Sequence, residues 1–346
     1  MKKIGYAVLG LGIGAAHAEA AEASENAELV AICDIDEKRL DKYSKLYPNA
    51  TPYTSFDELI KDERVDIISV CLPSYMHADF AVRAMEAGKN VLCEKPLDIT
   101  PERAILIEDA RRRTGMKVGV VHQNRFNLNM YPIKKAVDDG RLGKINLGTF
   151  GVKWYREQSY YDRGGWRGTW EYDGGGSLIN QAIHTVDLMH WLMGDVEYVV
   201  STMSICEHNI KTEDLTASLI KFGSGATATF VSTTCAYPGI STEIMLYGSR
   251  GSIEADADMI KTWKMRDSDD EDEEEELMLA RYGKGNLEAS KYEPSALYGH
   301  RHVVEDMILA VRDGRDPQIL PLDALESVKI VNAIYRSAKT GERVYL

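Results

Sequence analysis

Short apolar runs alternate with amphipathic stretches over the first third of the chain. The runs are compact, rich in β-branched residues and mostly apolar, which is typical of strands that are buried on both faces of a sheet. They predict strands at Ile4–Leu9, Leu29–Cys33, Val65–Leu72, Asn90–Cys93 and Lys117–Val121. Repeated β-α-β units of this kind predict a parallel sheet with right-handed crossovers.

Capping residues mark two of the helices between these strands. Ser55-Phe56-Asp57-Glu58 has the pattern of a capping box and predicts a helix that runs toward Lys61. Thr100-Pro101 predicts a second helix, with threonine as the N-cap and proline at the first helical position, and Gly115 lies just past its end.

The pattern changes after about residue 123. Helices are predicted at Met130–Asp139 and at about Ser177–Met193, with a long strand near Lys144–Trp154 between them. Strands then follow one another, which is typical of a mostly antiparallel sheet: Val196–Ser204, Leu215–Phe222, Thr227–Thr234, Ser241–Gly248 and Ser252–Ala255. Two further helices are predicted near Leu297–Arg312 and Asp323–Lys339.

These elements predict an α/β protein of two domains. Residues 1–122 are expected to form a domain with a Rossmann-type, doubly wound parallel sheet. Residues 123–346 are expected to form an α+β domain with a large, mostly antiparallel sheet. The length of 346 residues agrees with two domains of about 150 residues each.

Composition excludes several classes of protein. With 44% hydrophobic and 27% charged residues, the chain is neither disordered nor collagen-like. No apolar stretch approaches the ~20 residues of a membrane span, and the N-terminus lacks the apolar core of a secretory signal. The 41 basic and 54 acidic residues give a net charge of −13, which disfavours nucleic acid and anionic membranes as partners.

Two further features of the composition have ordinary explanations. The five cysteines are odd in number and contain no CxxC pair, so we expect reduced core cysteines in a cytoplasmic protein. The nearly continuous acidic run from Asp267 to Glu276 is expected to be a solvated loop between two strands. His300 and His302 are two residues apart on a predicted helix and do not share a face, so we expect no metal site there.

The first motif with chemical meaning follows the first strand. Gly10-Leu11-Gly12-Ile13-Gly14-Ala15 fits G-x-G-x-x-[G/A], in which Gly10 allows the tight turn and Ala15 allows close packing of helix on strand. Backbone N–H groups around Gly12, Ile13 and Gly14 are expected to bind a pyrophosphate at the helix N-terminus.

An acidic residue ends the next strand, 22 residues after Gly12. The carboxylate of Asp34 can accept hydrogen bonds from an adenosine ribose and would repel a 2′-phosphate, so NAD is favoured over NADP. Arg39 lies five residues further on and can in principle reach a phosphate, which leaves NADP as the alternative.

Two more motifs carry ionisable groups. Glu94-Lys95-Pro96 follows a strand directly, and ligands of doubly wound sheets bind beyond the carboxyl ends of strands. Three glycines, Gly174 to Gly176, open a predicted helix on which Asn180 and His184 share a face, with Asp187 close to it. A histidine beside an amide and a carboxylate can serve as a general base. The alternatives are a surface lysine in an ion pair and a structural histidine.

Together these motifs resemble those of the glucose–fructose oxidoreductase, inositol dehydrogenase and rhizopine catabolism family (Gfo/Idh/MocA). The resemblance rests on the glycine turn with His17, Val70-Cys71-Leu72-Pro73 with His77, Glu94-Lys95-Pro96 and the Gly-Gly-Gly…His-x-x-Asp segment. It implies oxidation or reduction of a sugar or polyol hydroxyl with a pyridine nucleotide. It also implies that Pro73, His77, Glu94 and Lys95 contact the cofactor, and that Lys95 and His184 are catalytic.

The sequence departs from the family pattern at two positions. The loop before His17 is one residue shorter than is common in the family, and Asn180 stands where an aspartate is common. Asn180 is therefore expected to position the substrate, while His184 acts with Lys95.

An arginine-rich and aromatic segment supplies the expected substrate contacts. Arg156, Trp166 and Arg167 lie in it, together with Arg163, Tyr160 and Tyr161. Arginine binds carboxylate or phosphate and aromatic rings stack on sugars or bases, although a folded loop with cation–π packing is an equal alternative. His122 and Asn124 follow the Lys117–Val121 strand and are further candidates. Similar segments occur in family members that oxidise nucleotide-linked N-acetylglucosaminuronate.

The expected reaction is therefore hydride transfer from a sugar, sugar acid or nucleotide sugar to NAD, in a homo-oligomer such as a dimer or tetramer. Three alternatives stay open: a dehydrogenase of inositol or another polyol, a glycosidase that uses NAD transiently, and a sugar-sensing regulator without catalysis.

Overall fold

The computed structural model describes residues 3–283 and 295–346. It divides into two compact units. The first comprises Met1–Gln123 and Ala296–Leu325, and the second comprises Asn124–Ser295 and Glu326–Leu346.

The first unit is built on a six-stranded sheet in the order β3-β2-β1-β4-β5-β6, with every neighbouring pair parallel. Its strands are β1 Ile4–Leu9, β2 Ala27–Cys33, β3 Thr51–Tyr53, β4 Ile67–Val70, β5 Asn90–Cys93 and β6 Val118–Val120. The predicted Rossmann-type sheet is confirmed. The order reverses between β1 and β4, which is where ligands of doubly wound sheets bind.

Helices α1 Gly14–Ala23, α2 Glu37–Leu46, α3 Phe56–Leu59, α4 His77–Glu86 and α5 Pro101–Thr114 connect these strands. The predicted cap of α5 is confirmed, because the Thr100 side chain accepts from Arg103 N and Gly115 ends the helix with a φ of 72°. The capping box at Ser55 is wrong: its side chain makes no cap hydrogen bond and α3 ends after four residues.

The second unit is built on an eight-stranded sheet in the order β13-β12-β11-β7-β10-β9-β8-β14. The strands are β7 Ile145–Lys153, β8 Val196–Ser204, β9 Leu215–Phe222, β10 Thr227–Thr233, β11 Ser241–Gly248, β12 Gly251–Ala255, β13 Ile260–Met265 and β14 Val344–Tyr345. Among these strands β7 and β10 pair in parallel and the other neighbours are antiparallel, as predicted. One face of this sheet is the core, where Phe150, Phe222 and Phe230 are fully buried.

Helices α6 Met130–Asp138, α7 Gln158–Asp162 and α8 Ile183–Met193 precede the long run of strands. The single helix predicted over Ser177–Met193 is wrong in its first third. Ser177–Gln181 is a π-helical turn, and α8 begins only after Ala182.

The acidic run is also not the predicted loop. It opens helix α9, Glu271–Tyr282, and the Asp270 side chain caps this helix by accepting from Asp272 N and Glu273 N. Negative charge at a helix N-terminus is stabilised by the helix dipole. Glu274 accepts two hydrogen bonds from Arg141 and one from the Trp263 indole, so the acidic turn is attached to β13.

Two long helices, α10 Ser295–Asp313 and α11 Pro321–Thr340, precede β14. The segment Ala296–Leu325 joins the first unit, although the sequence pattern placed it in the domain 123–346. Glu305 of α10 accepts hydrogen bonds from the Ser24 hydroxyl and the Asn26 amide, and the N–H of Val120 in β6 donates to the carbonyl of Ile319. In the described part of the chain, no helix has the length and hydropathy of a bilayer span.

Candidate active site

The glycine turn after β1 leaves an open surface at its tip. Gly10 has a φ of 89°, and a Cβ there would lie 2.4 Å from the carbonyl oxygen of Cys71. A Cβ at Gly12 would meet no atom within 4 Å, and Ile13 is 49% exposed. Gly14 packs against β1, since its Cβ would lie 2.7 Å from Val8 Cγ1, so Gly14 fills the role expected of Ala15. The tip can therefore accept a pyrophosphate against its backbone.

Asp34 lies at the end of β2 and links that strand to the glycine turn. Its Oδ2 accepts from Leu11 N at 2.8 Å and from the Arg39 guanidinium at 2.9 Å, and its Oδ1 accepts from Asp36 N. Arg39 is thus paired with Asp34. Oδ1 accepts one of the two hydrogen bonds that it can take, which suits a ribose hydroxyl. The turn and Asp34 together fit a dinucleotide.

The Glu94 side chain fixes the backbone of Lys95 by a hydrogen bond. Lys95 follows β5 and is half-buried, and its backbone N–H donates to Glu94 Oε2 at 3.0 Å. The Glu94 side chain is buried and lies 3.0 Å from His17 Nε2 and 3.4 Å from His300 Nε2. Glu94 therefore supports the Lys95 loop, and its contact with the cofactor stays a prediction.

Buried hydrogen bonds connect Glu94 through His17 to side chains of two strands, β4 and β1. His17 Nδ1 lies 2.8 Å from the Ser69 hydroxyl, which lies 2.5 Å from the Tyr6 hydroxyl. Burial lowers the pKa of His17, so a neutral ring that donates from Nε2 to Glu94 fits these hydrogen bonds. Burial opposes ionisation of Glu94, but hydrogen bonds from His17 and His300 hold its pKa well below the usual value. The sequence analysis did not place His300 beside Glu94, because the two residues lie more than 200 positions apart in the chain.

His77 holds two loops of the first unit together, and its contact with the cofactor stays a prediction. It is 1% exposed, and its ring nitrogens lie 2.7 and 2.8 Å from the carbonyl oxygens of Pro96 and Leu72. It joins the loop after β4, which contains Pro73, to the loop after β5. Pro73 is half-buried beside this link.

In the second unit, the glycine-rich turn, defined here as Asp173–Gln181, carries Asn180. The Asn180 amide donates to Asp173 Oδ1 at 2.6 Å, and its oxygen accepts from Tyr160 and Gln181. His184 is buried in the first turn of α8. Asn180 lies in the π-helical turn and His184 lies in α8. The prediction that both residues share one face of a single α-helix is therefore wrong.

Asp187 is held by Arg125 through two hydrogen bonds of 2.7 and 2.6 Å. The carboxylate expected to tune His184 is thus compensated by a guanidinium, which the sequence analysis did not foresee. Arg125 lies in the one-turn 3₁₀ helix Gln123–Phe126 with Asn124, which is half-buried. His122, in the first unit, is 1% exposed just after β6.

The structure brings the predicted arginines and aromatics together. The guanidinium groups of Arg156 and Arg167 lie 5.5 and 4.8 Å from the ring centre of Tyr160, and Arg167 also stacks on half-buried Trp166. Arg156 donates to the Gln181 side chain at 2.8 Å. Arg167 Nε is buried and has no hydrogen-bond partner among the described residues. The Arg163 side chain is exposed, and the Arg163 carbonyl accepts from the Arg167 guanidinium at 3.2 Å.

Both parts of the chain match known families. Residues 4–122 match the oxidoreductase family with an NAD-binding Rossmann fold, and residues 132–254 match the GFO/IDH/MocA C-terminal domain. Similar solved structures include the WlbA dehydrogenase of Bordetella pertussis, crystallised with NADH and UDP-GlcNAcA. It is 30% identical, with a TM-score of 0.91, over 100% of this chain and 98% of that one. The chain belongs to the Gfo/Idh/MocA family.

Other relatives of this Gfo/Idh/MocA protein include one crystallised with the same nucleotide sugar and others named for different substrates. The WlbA dehydrogenase of Chromobacterium violaceum, also with NADH and UDP-GlcNAcA, is 32% identical over 100% of this chain and 96% of that one, with a TM-score of 0.90. D-glucoside 3-dehydrogenase of Escherichia coli is 30% identical over 59% of this chain and 56% of its own length. Inositol 2-dehydrogenase of Rhizobium meliloti is 26% identical over 72% and 75%.

The family membership confirms the resemblance drawn from the motifs and the expectation of an NAD-dependent oxidoreductase. When bound, NAD supplies the hydride acceptor, and Gly10, Gly12, Ile13, Gly14 and Asp34 are the residues of this chain that would hold it. The roles of individual site residues stay predictions.

Proposed function

We propose that this protein is an NAD-dependent dehydrogenase of a nucleotide sugar that bears a carboxylate, acting on a secondary hydroxyl. The observation that carries this proposal is the stacked cluster of Arg156, Arg167 and Tyr160, with the buried Arg167 Nε donor. In a chain of net charge −13, such a concentration of guanidinium groups favours an anionic ligand. The WlbA dehydrogenases, crystallised with UDP-GlcNAcA, support the same substrate class.

The catalytic roles follow from the resemblance. His184 takes the proton of the hydroxyl as its carbon loses hydride, and Lys95 donates a hydrogen bond to the developing alkoxide. Glu94 fixes the backbone at Lys95, and Asn180 binds the substrate. Lys95 and His184 belong to different units of the chain. The proposal that both act on the same substrate therefore rests on the motifs that resemble the family.

A substrate series tests the proposal through NADH absorbance. UDP-GlcNAcA is compared with UDP-GlcNAc, which lacks the carboxylate, and with myo-inositol and methyl glucosides. We expect the highest kcat/KM for UDP-GlcNAcA and a KM that rises with added salt. A neutral polyol as the best substrate, with a salt-insensitive KM, would favour the polyol dehydrogenase instead.

Variants of the arginines sharpen this test. Arg156→Ala and Arg167→Ala should each raise KM for the anionic substrate by roughly tenfold or more, since a charge-assisted hydrogen bond is lost. Arg163→Ala is the matched control, because Arg163 lies in the same segment but is exposed. Equal effects of all three variants would contradict the assigned contacts.

A further inference from the structure

We propose that Glu213 is a positioning residue that holds the glycine-rich turn, and through it Asn180 and the start of α8, in the geometry that the reaction requires. Only the catalytic purpose of this geometry rests on the function proposed above. Glu213 immediately precedes the buried Asp214 at the entry to β9, and no motif of the sequence analysis included it.

The Glu213 carboxylate receives hydrogen bonds from the turn on both oxygens. Oε2 accepts from Gly176 N at 2.9 Å, and Oε1 accepts from Leu178 N at 2.8 Å. Oε1 also accepts from the Tyr335 hydroxyl at 3.1 Å and, more weakly, from the Ser177 hydroxyl at 3.4 Å. The residue is 2% exposed, so water does not replace these partners. The carboxylate therefore satisfies N–H groups at the start of the π-helical turn that would otherwise be buried without acceptors.

The main chain of Glu213 fixes the same turn. Its carbonyl accepts from Ser177 N at 3.1 Å, and a Cβ at Gly176 would lie 1.9 Å from that carbonyl oxygen. A Cβ at Gly175 would lie 2.1 Å from the Tyr335 hydroxyl. Glycines are thus required where Glu213 and Tyr335 contact the turn, which gives a physical reason for the glycine run.

The held backbone leads directly to the predicted site residues. Asn180 N donates to the carbonyl of Gly176, and Ala182 N donates to the carbonyls of Ser177 and Leu178. Val186 N then donates to the carbonyl of Ala182 within the first turn of α8, next to His184. A displacement of Leu178 therefore moves both Asn180 and His184.

The arrangement requires an ionised Glu213, because both oxygens accept from N–H groups. A proton on either oxygen would convert an acceptor into a donor that faces another donor. Burial raises the pKa of Glu213 to about 7, against the lowering effect of the N–H groups of the turn. Among the described residues, Tyr161 of α7 and Tyr335 of α11 interact electrostatically with Glu213; Asp173 of the turn interacts with Tyr335, and Asp214 is the next residue in the chain. The geometry of the turn should accordingly depend on pH near neutrality.

Glu213→Gln tests the inference, because the amide keeps one acceptor and presents N–H to the other donor. The matched control is Glu254→Gln, since Glu254 also accepts from a tyrosine, Tyr247, but lies on β12 away from the turn. The first readout is amide hydrogen exchange at equal pH. We expect faster exchange over residues 176–186 in Glu213→Gln alone, with NAD affinity unchanged in both variants.

The second readout is kcat/KM against pH. Protonation of Glu213 should steepen the fall of log kcat/KM of the wild type on the acidic side, and Glu213→Gln should remove that contribution and so reduce the slope. Its kcat/KM at high pH should be lower by about 10- to 100-fold. Unchanged exchange over 176–186, or an unchanged slope, would overturn the inference. Faster exchange without dehydrogenase activity on any sugar would leave the positioning role standing and reject the proposed function.

Discussion

At the scale of single residues, Asp34 is the group that should decide between NAD and NADP. Its carboxylate engages Arg39 at 2.9 Å, so Asp34→Ser removes the ribose acceptor and releases a guanidinium toward a 2′-phosphate. We expect NAD to bind more weakly and the preference for NAD over NADP to fall by about tenfold or more, which is about 1.4 kcal/mol. Titration of both cofactors measures this. Asp36→Ser is the control, because serine preserves the N-cap of α2, and an unchanged NAD/NADP ratio in Asp34→Ser would reject the assignment.

Lys95 should affect turnover and not cofactor affinity. The groups expected to hold NAD are the glycine turn and Asp34, whereas Glu94 fixes Lys95 through its backbone. Lys95→Ala should therefore abolish turnover while the Kd for NAD stays within about an order of magnitude of the wild-type value. A variant that retains more than about a tenth of the wild-type kcat would show that Lys95 does not stabilise the alkoxide.

Asn180 stands where an aspartate is common in the family, and its surroundings explain the amide. It donates to Asp173 at 2.6 Å, and an aspartate has no proton to give there at neutral pH. Asn180→Asp should place two carboxylates in contact and lower the free energy of unfolding by about 1–3 kcal/mol at neutral pH. The loss should diminish as the pH falls, because a shared proton restores the hydrogen bond. Urea unfolding at several pH values checks this, and a pH-independent difference would contradict it.

At the scale of elements, the apolar pattern of the sequence predicted the strands, whereas contacts between residues distant in the chain were not predicted. The strands Ile4–Leu9, Asn90–Cys93 and Val196–Ser204 have the bounds that their apolar patterns predict. The π-helical turn was missed because Glu213, more than 30 residues later in the chain, binds its N–H groups. The supporting roles of Glu94 and His77 were missed for the same reason, since their partners come from other loops. Site residues could be found from motifs, whereas the contacts that hold them could not.

Helix α9 was missed because its acidic residues were read as mutually repulsive. Arg141 donates to both oxygens of Glu274 and holds the pKa of that carboxyl at about 2. The stabilising contribution of this ion pair is therefore fully present above the ordinary pKa of 4.5 and is lost as the pH falls toward 2.

Glu274→Gln should lower the free energy of unfolding of the second unit by about 1–3 kcal/mol at neutral pH. The difference between the variant and the wild type should narrow below pH 4.5. Denaturant midpoints test this against Glu276→Gln, whose side chain is exposed on the same helix. Equal midpoints for the two variants would show that the ion pair of Arg141 with Glu274 does not stabilise the second unit.

At the scale of the whole molecule, the eight-stranded sheet has one face that its own helices do not bury completely. Leu219 on β9 is 46% exposed and Val200, its direct partner on β8, is 38% exposed. The register places Leu147 of β7 and Tyr345 of β14 on the same face, with exposures of 42% and 59%. Neighbouring positions of opposite parity, such as Val199 and Ile220, are fully buried. An extended face of this kind, with apolar residues on several adjacent strands, is typical of an interface.

We propose that a second copy of the chain covers this face, because a two-fold axis lets the same surface of both copies pair with itself. A stable dimer buries about 800 Å² on each partner. Light scattering on a sizing column should give a multiple of 38.7 kDa for the wild type. Leu219→Glu should shift the mass toward the monomer, since it places a charge within the covered apolar surface. Leu46→Glu is the matched control, because Leu46 is 59% exposed on α2 of the first unit. A monomeric wild type, or a Leu219→Glu variant with the wild-type mass, would show that this face stays open to solvent.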